Sequence, residues 1–215
     1  YAWTVAANPN VGGENNGTGS VINNVLNNVT NSDQVVVYTV IATSSNGCAG
    51  DPFTVSVTVR PEPQGFNDAS PLICSDAAVG YVLNTNIANI GSGGNNLTAG
   101  TTYTWIAAPN GSVTGESTSS QSTGTITDVL NNITNSDQIV VYTVSPTSSN
   151  GCVGNPFTVS VTVQPEPKGH DDATPIVCSD VALAYDLSVN IANVGLGGNN
   201  LITGTTYSWI AANNA

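Results

Sequence analysis

The chain repeats itself. Cys48 and Cys152 lie 104 residues apart, and so do Cys74 and Cys178, Tyr38 and Tyr142, and Tyr81 and Tyr185. Residues 21–76 aligned on 125–180 are identical at 40 of 56 positions. Trp3 and Trp105 are 102 apart, whereas Trp105 and Trp209 return to 104, so a two-residue length difference lies in the loop before position 21. This period exceeds the roughly 20–50 residues of solenoid units and matches one sandwich domain of about 100 residues. Each repeat is expected to be a domain with its own core.

Punctuation sets the phase. Pro61-Glu62-Pro63 and Pro165-Glu166-Pro167 each follow a strand-like run, and proline cannot donate to a sheet ladder. Read as linkers, they divide the chain into the rear of one repeat (1–61), a complete repeat (62–165) and the front of the next (166–215). A start at Tyr1 rather than Met reads as a piece of a longer chain or a processed product.

Within the complete repeat, Phe157, Val159, Val161 and Val163 alternate with Thr158, Ser160 and Thr162, the period-two pattern of a strand with one wet face. Ile139–Val144 suits a central strand, Tyr103, Trp105 and Ala107 alternate with Thr104 and Ile106, and Tyr81 with Leu83 and Ile126–Leu130 mark further strands. Gly93-Gly94-Asn95-Asn96 reads as a separator. No segment of helical length shows a 3.6 period. The predicted class is all-β: tandem Ig-like sandwiches arranged end to end as a rod.

Two basic residues, Arg60 and Lys168, face 14 acidic ones, for a net charge of -12. A nucleic acid or an anionic membrane surface would be repelled. No run approaches the roughly 18 apolar residues that span a bilayer. The polar residues are mostly Asn, Thr, Ser and Gly, and Met is absent. Little is left for trypsin-like proteases or oxidants to attack, which suits an extracellular, cell-surface setting.

Catalytic chemistry has no foothold. The single histidine, His170, aligns with Phe66 in the other copy, so it reads as a linker surface residue, and without a second His no Ser-His-Asp or Cys-His set can be assembled. The acids lie at strand ends and linkers, with no basis for a pair across a cleft. Gly91-Ser92-Gly93-Gly94 lacks the Lys and following helix of a phosphate loop. The reading is no enzyme.

Four cysteines recurring once per half-repeat point to disulfides and an oxidising compartment. Cys74 could pair with Cys152 inside the complete repeat, or with Cys48 across a linker. A topology that puts the Cys152 turn at the end where the chain enters favours Cys74–Cys152, leaving Cys48 and Cys178 to partners outside these residues. Trp105 in mid-repeat reads as a core residue, as do Trp3, Trp209, Tyr38 and Tyr142; a sugar-stacking platform would need the indole exposed. Glu62, Asp68 and Asp76 flank the first linker, and Glu166, Asp171, Asp172 and Asp180 the second. Such hard oxygen ligands at a joint could bind calcium; no other cofactor is implied.

The succession Tyr103-Thr104-Trp105, Ile126-Thr127-Asp128-Val129-Leu130-Asn131-Asn132, Val141-Tyr142-Thr143-Val144, Asn150-Gly151-Cys152 and Pro156-Phe157-Thr158-Val159-Ser160-Val161-Thr162-Val163 resembles PKD-like repeats, as does Cys74-Ser75-Asp76. The resemblance implies an Ig-like sandwich with no catalytic residues. It also implies a setting in very large surface proteins of the Bacteroidetes exported by type IX secretion, some of them gliding-motility adhesin filaments. The expected role is a structural and adhesive stalk; the alternatives are a glycan-binding module and a passive spacer of a secreted enzyme. Neighbouring repeats are the expected partners, with lateral self-assembly into a fibre and surface glycans also open.

Overall fold

The computed structural model describes residues 1–88, 96–173, 175–192 and 200–212. The Gly91–Gly94 run and Asn95 lie outside them.

Residues 1–61 contribute six strands: β1 (Ala2–Val5), β2 (Val11–Gly12), β3 (Gly17–Thr18), β4 (Asn27–Asn28), β5 (Gln34–Ile41) and β6 (Phe53–Val59). They form an antiparallel sheet in the order β3-β1-β5-β6 and a small β2-β4 pair. Along β5 every second residue turns inward, so Val36, Tyr38 and Val40 are buried with Trp3 and Val11. The stiff β-branched residues on this strand suit the pleated surface.

The middle repeat continues with β7 (Leu72–Cys74), β8 (Ala77–Ala78), β9 (Tyr81–Val82), α1 (Leu83–Ala88), β10 (Thr102–Ala107), β11 (Val113–Thr114), β12 (Thr125–Ile126), β13 (Val129–Asn132), β14 (Gln138–Thr147) and β15 (Phe157–Gln164). One sheet has the order β10-β14-β15-β7, facing the β11-β13-β8 and β12-β9 ladders. Trp105 lies opposite Val144, and Tyr142 opposite Val159. The outer strand β7 runs parallel to β15, with Leu72, Ile73 and Cys74 beside Thr162, Val163 and Gln164.

Between the layers lie Leu83, Ile87, Tyr103, Trp105, Val113, Ile126, Leu130, Val140, Tyr142, Val144, Phe157, Val159, Val161 and Val163, all buried. Each such side chain contributes about 1.5–3 kcal/mol relative to exposure. The Trp105 and Tyr142 rings meet edge to face, 5.6 Å apart at 74°, and the indole N–H donates to the Thr123 carbonyl at 3.1 Å.

Three expectations need correction here. Leu83 does not continue a strand: it opens the six-residue helix α1, whose Leu83, Asn86 and Ile87 are buried at helical spacing. The expected 126–130 strand is broken between β12 and β13, because Asp128 turns its carboxylate inward to take the Ser117 N–H, the Ser117 hydroxyl and the Tyr142 hydroxyl at 2.7, 2.8 and 3.0 Å. Trp209 is 79 % exposed rather than core. Residues 166–215 form α2 (Leu187–Ala192) and, among the described residues, no strand.

Candidate functional site

The residues singled out in the two linkers make separate contacts. Pro61 and Pro63 are buried. The Pro63 carbonyl presses on the Cα of Gly154 and Gly65 lies on the Phe157 ring, so closely that a Cβ on either glycine would overlap its neighbour. At Gly50, the counterpart of Gly154, the nearest atom to an added Cβ is the Ala42 carbonyl oxygen at 3.5 Å. The first linker is packed into the repeat it enters.

Beyond the prolines the chain is clamped. Asn86 Nδ2 donates to the Phe66 carbonyl at 2.9 Å, and its Oδ1 accepts from the Phe66 N–H at 3.0 Å. Asn190 holds His170 in the same way, at 2.9 and 3.0 Å. Only backbone atoms of residues 66 and 170 are used, which explains why Phe and His occupy one structural position.

Asp68 is part of the same frame. Its carboxylate accepts from the Ser70 N–H and hydroxyl at 2.8 and 2.7 Å and from the Tyr81 hydroxyl at 2.8 Å. The Ser70 hydrogen bonds hold the Asp68 carboxyl below its ordinary value, against a smaller push from burial. Burial pushes the Tyr81 hydroxyl up to about 12. Asp172 and Tyr185 repeat the contact at 2.7 Å.

At the second linker Lys168 Nζ lies 3.5 Å from Asp76 and 3.6 Å from Glu166. Burial, followed by the neighbouring Asp76 carboxylate, raises the Glu166 carboxyl against the pull of Lys168. Asp76 and Asp180 both turn their backbones into the left-handed region, at φ 61° and 63°. The acids considered for calcium are thus dispersed: Asp68 and Asp172 serve tyrosines, and Asp76 with Glu166 already holds an ammonium. Among the described residues, no three His, Cys, Asp or Glu side chains gather as metal ligands.

The cysteine register also differs from expectation. All four cysteines are free. Because β7 is parallel to β15, Cys74 stands beside Gln164, at the far end of β15 from the turn that holds Cys152. Phe157 and Gln164 are seven residues apart on a strand rising about 3.3 Å each, roughly 23 Å. A disulfide needs Cα atoms within about 7 Å. A Cys74–Cys152 bond does not fit this register. Cys152 instead lies two residues from Gly154, against the linker that enters the repeat, while Cys74 marks the mouth of the linker that leaves it.

Trp3, Trp105, Tyr38 and Tyr142 are buried. The Tyr38 hydroxyl donates to Asn24 at 2.8 Å, as Tyr142 does to Asp128. Exposed aromatics do occur in the last segment, where Tyr207 and Trp209 line an apolar hollow with Leu183, Tyr185 and Leu187. Their equivalents in the middle repeat, Tyr103 and Trp105, are buried in the core.

Sequence reasoning missed Gly65, Gly154, Asn86 and Asp128. The only signal for them was their recurrence, or substitution by Asn24 for Asp128, at the repeat spacing.

Two facing layers of strands, a parallel outer strand and polar clamps at each joint define an Ig-like β-sandwich module. The family model for the PKD-like domain matches residues 1–63 and 71–167. The chain belongs to the PKD-like domain family, whose Ig-like fold is non-catalytic. No curated protein matches it.

Proposed function

We propose that the chain is a load-bearing stalk segment of a large secreted surface protein, acting in adhesion or gliding. The observation that carries this reading is the β7–β15 pair. The chain enters the middle repeat along β7 and leaves along β15, and the two lie side by side and parallel. Tension drawn through the chain loads their hydrogen bonds in shear, so several must yield together, whereas an unzipping hairpin yields one bond at a time.

The joints support the same reading. Asn31 bonds Asn96 across the first, and Asn135 bonds Asn200 across the second, one period on. Buried prolines limit bending at the first. Repeats joined this way would stack end to end as a rod, with domain limits near 62 and 165, on an acidic surface poor in protease targets. The resemblance to PKD-like repeats supports, on this reading, a parent among the large Bacteroidetes surface proteins exported by type IX secretion.

Single-molecule pulling from residues 62 and 165 tests this. A discrete rupture peak is expected, lowered by Ile73→Pro, which deletes a β7 ladder donor. Extension without a peak would rule out a load-bearing role.

A further inference from the structure

The register that separates Cys74 from Cys152 within a repeat puts one cysteine at each of its ends. Cys74 closes β7 at the exit: it lies beside Gln164, and the Ser75 N–H donates to the Gln164 carbonyl at 2.8 Å. Cys152 sits in the turn at the entrance, where its N–H donates to the Ser148 hydroxyl at 3.1 Å. Gly154, two residues on, lies under the Pro63 carbonyl. Cys74 is exposed and Cys152 half-buried, and both are thiols.

Contacts at the two joints show which ends meet. The loop after β13, at the exit, reaches the following repeat through Asn135 and Asn200, as Asn31 reaches Asn96 one period earlier. The segment that begins with Asn96 runs to Gly100, where an added Cβ would come 2.9 Å from Ser149, so it rests on the turn of Cys152. A second line of contacts runs through the linker itself. Asp76, two residues beyond Cys74, lies 3.5 Å from Lys168 of the outgoing linker. Lys168 follows Pro167, which repeats Pro63, the residue that rests on Gly154. Each Pro-Glu-Pro linker is thus flanked by the Cys74 end of one repeat and the Cys152 turn of the next.

We propose that the disulfides of this chain form between repeats: Cys74 of each is bonded to the counterpart of Cys152 in the repeat that follows. Cys152 is bonded in the same way to the repeat before it. The two thiols give up two protons and two electrons as the S–S bond forms, and the oxidant is a disulfide that is itself reduced to two thiols by exchange. Successive sandwiches become stapled across each joint, and residues 75–151 of each lie off the shortest covalent path through the run. The cross-link rests on the repeat geometry and holds whatever role the parent protein plays.

Among the described residues the core of the middle repeat is drawn from residues 73–163 alone, so residues 62–165 make a self-contained unit, and two such units in tandem test the bond. Their junction keeps the native order, Pro165 followed by Glu62 and Pro63. One version carries Cys152→Ser in the first unit and Cys74→Ser in the second, leaving the two thiols that face the shared linker. Treated with oxidised glutathione, it should lose two hydrogens in mass, stay a single chain and carry no glutathione. The converse version, with Cys74→Ser in the first unit and Cys152→Ser in the second, should instead carry glutathione on both thiols, and so should a single unit with both cysteines. Glutathione adducts or intermolecular dimers in the first version, or an internal bond in the converse version or the single unit, would overturn the proposal.

Discussion

The carbonyl of Pro63 rests on the Cα of Gly154, in the turn region of the repeat that the linker enters. A side chain there would be forced into backbone, and backbone cannot yield as a flexible side chain can. Gly154→Ala is expected to destabilise the middle repeat by about 1–3 kcal/mol, the usual cost of overpacking. Gly50→Ala, where an added Cβ meets only ordinary contact distances, should stay near neutral. Urea denaturation of both variants makes the comparison, and equal losses would remove the role given to the linker.

Tyr142 is buried with its hydroxyl on Asp128. Asp128→Ala leaves that hydroxyl and the Ser117 N–H without their acceptor, at a cost of about 1–3 kcal/mol for each buried orphan. Asp128→Asn keeps the tyrosine contact, as Asn24 does for Tyr38, and should lose less. Chemical denaturation would show the order Ala below Asn below parent.

The Asp68–Tyr81 pair makes stability depend on pH at both ends. Asp68 has a lowered folded value, so its contribution is full above the ordinary carboxyl value near ~4 and is lost as pH falls through the lower folded value. Tyr81 is raised to about 12, so its contribution is full below ~10 and disappears as pH rises from there to the folded value. Ser70→Ala should flatten the acid limb and Tyr81→Phe the alkaline one in melting-temperature profiles.

Trp105 and Trp209 occupy one position of the repeat in opposite surroundings, at 3 % and 79 % exposure. Trp105→Ala should cost about 3–5 kcal/mol, whereas Trp209→Ala should change the melt of this chain little. Acrylamide should quench Trp209 emission strongly and leave Trp105 and Trp3 protected.

Calcium titration followed by calorimetry should give no shift in the melt, because the Lys168 ammonium, 3.5 and 3.6 Å from Asp76 and Glu166, occupies and repels a cation from the space between them. A calcium-dependent rise would mean that the acids rearrange around the ion.

Much of the fold was legible from alternation. The inward set Phe157, Val159, Val161 and Val163 was readable because a strand turns successive side chains to opposite faces. Helix α1 was not, since six residues give too short a window for a 3.6 period. The cysteine pairing failed for another reason: alternation says which face a residue takes but not which way a neighbouring strand runs, and one parallel strand moves Cys74 to the other end of the domain. The joint glycines were hidden because a glycine's need for closeness depends on what lies above it.

Repetition, strand pattern and linker prolines were determined by the chain's residues alone, since they are properties of short segments and of composition. Strand direction and the Asp128 and Asn86 clamps were decided only in three dimensions. Those depend on which distant segment packs against each residue, which no short window of sequence records.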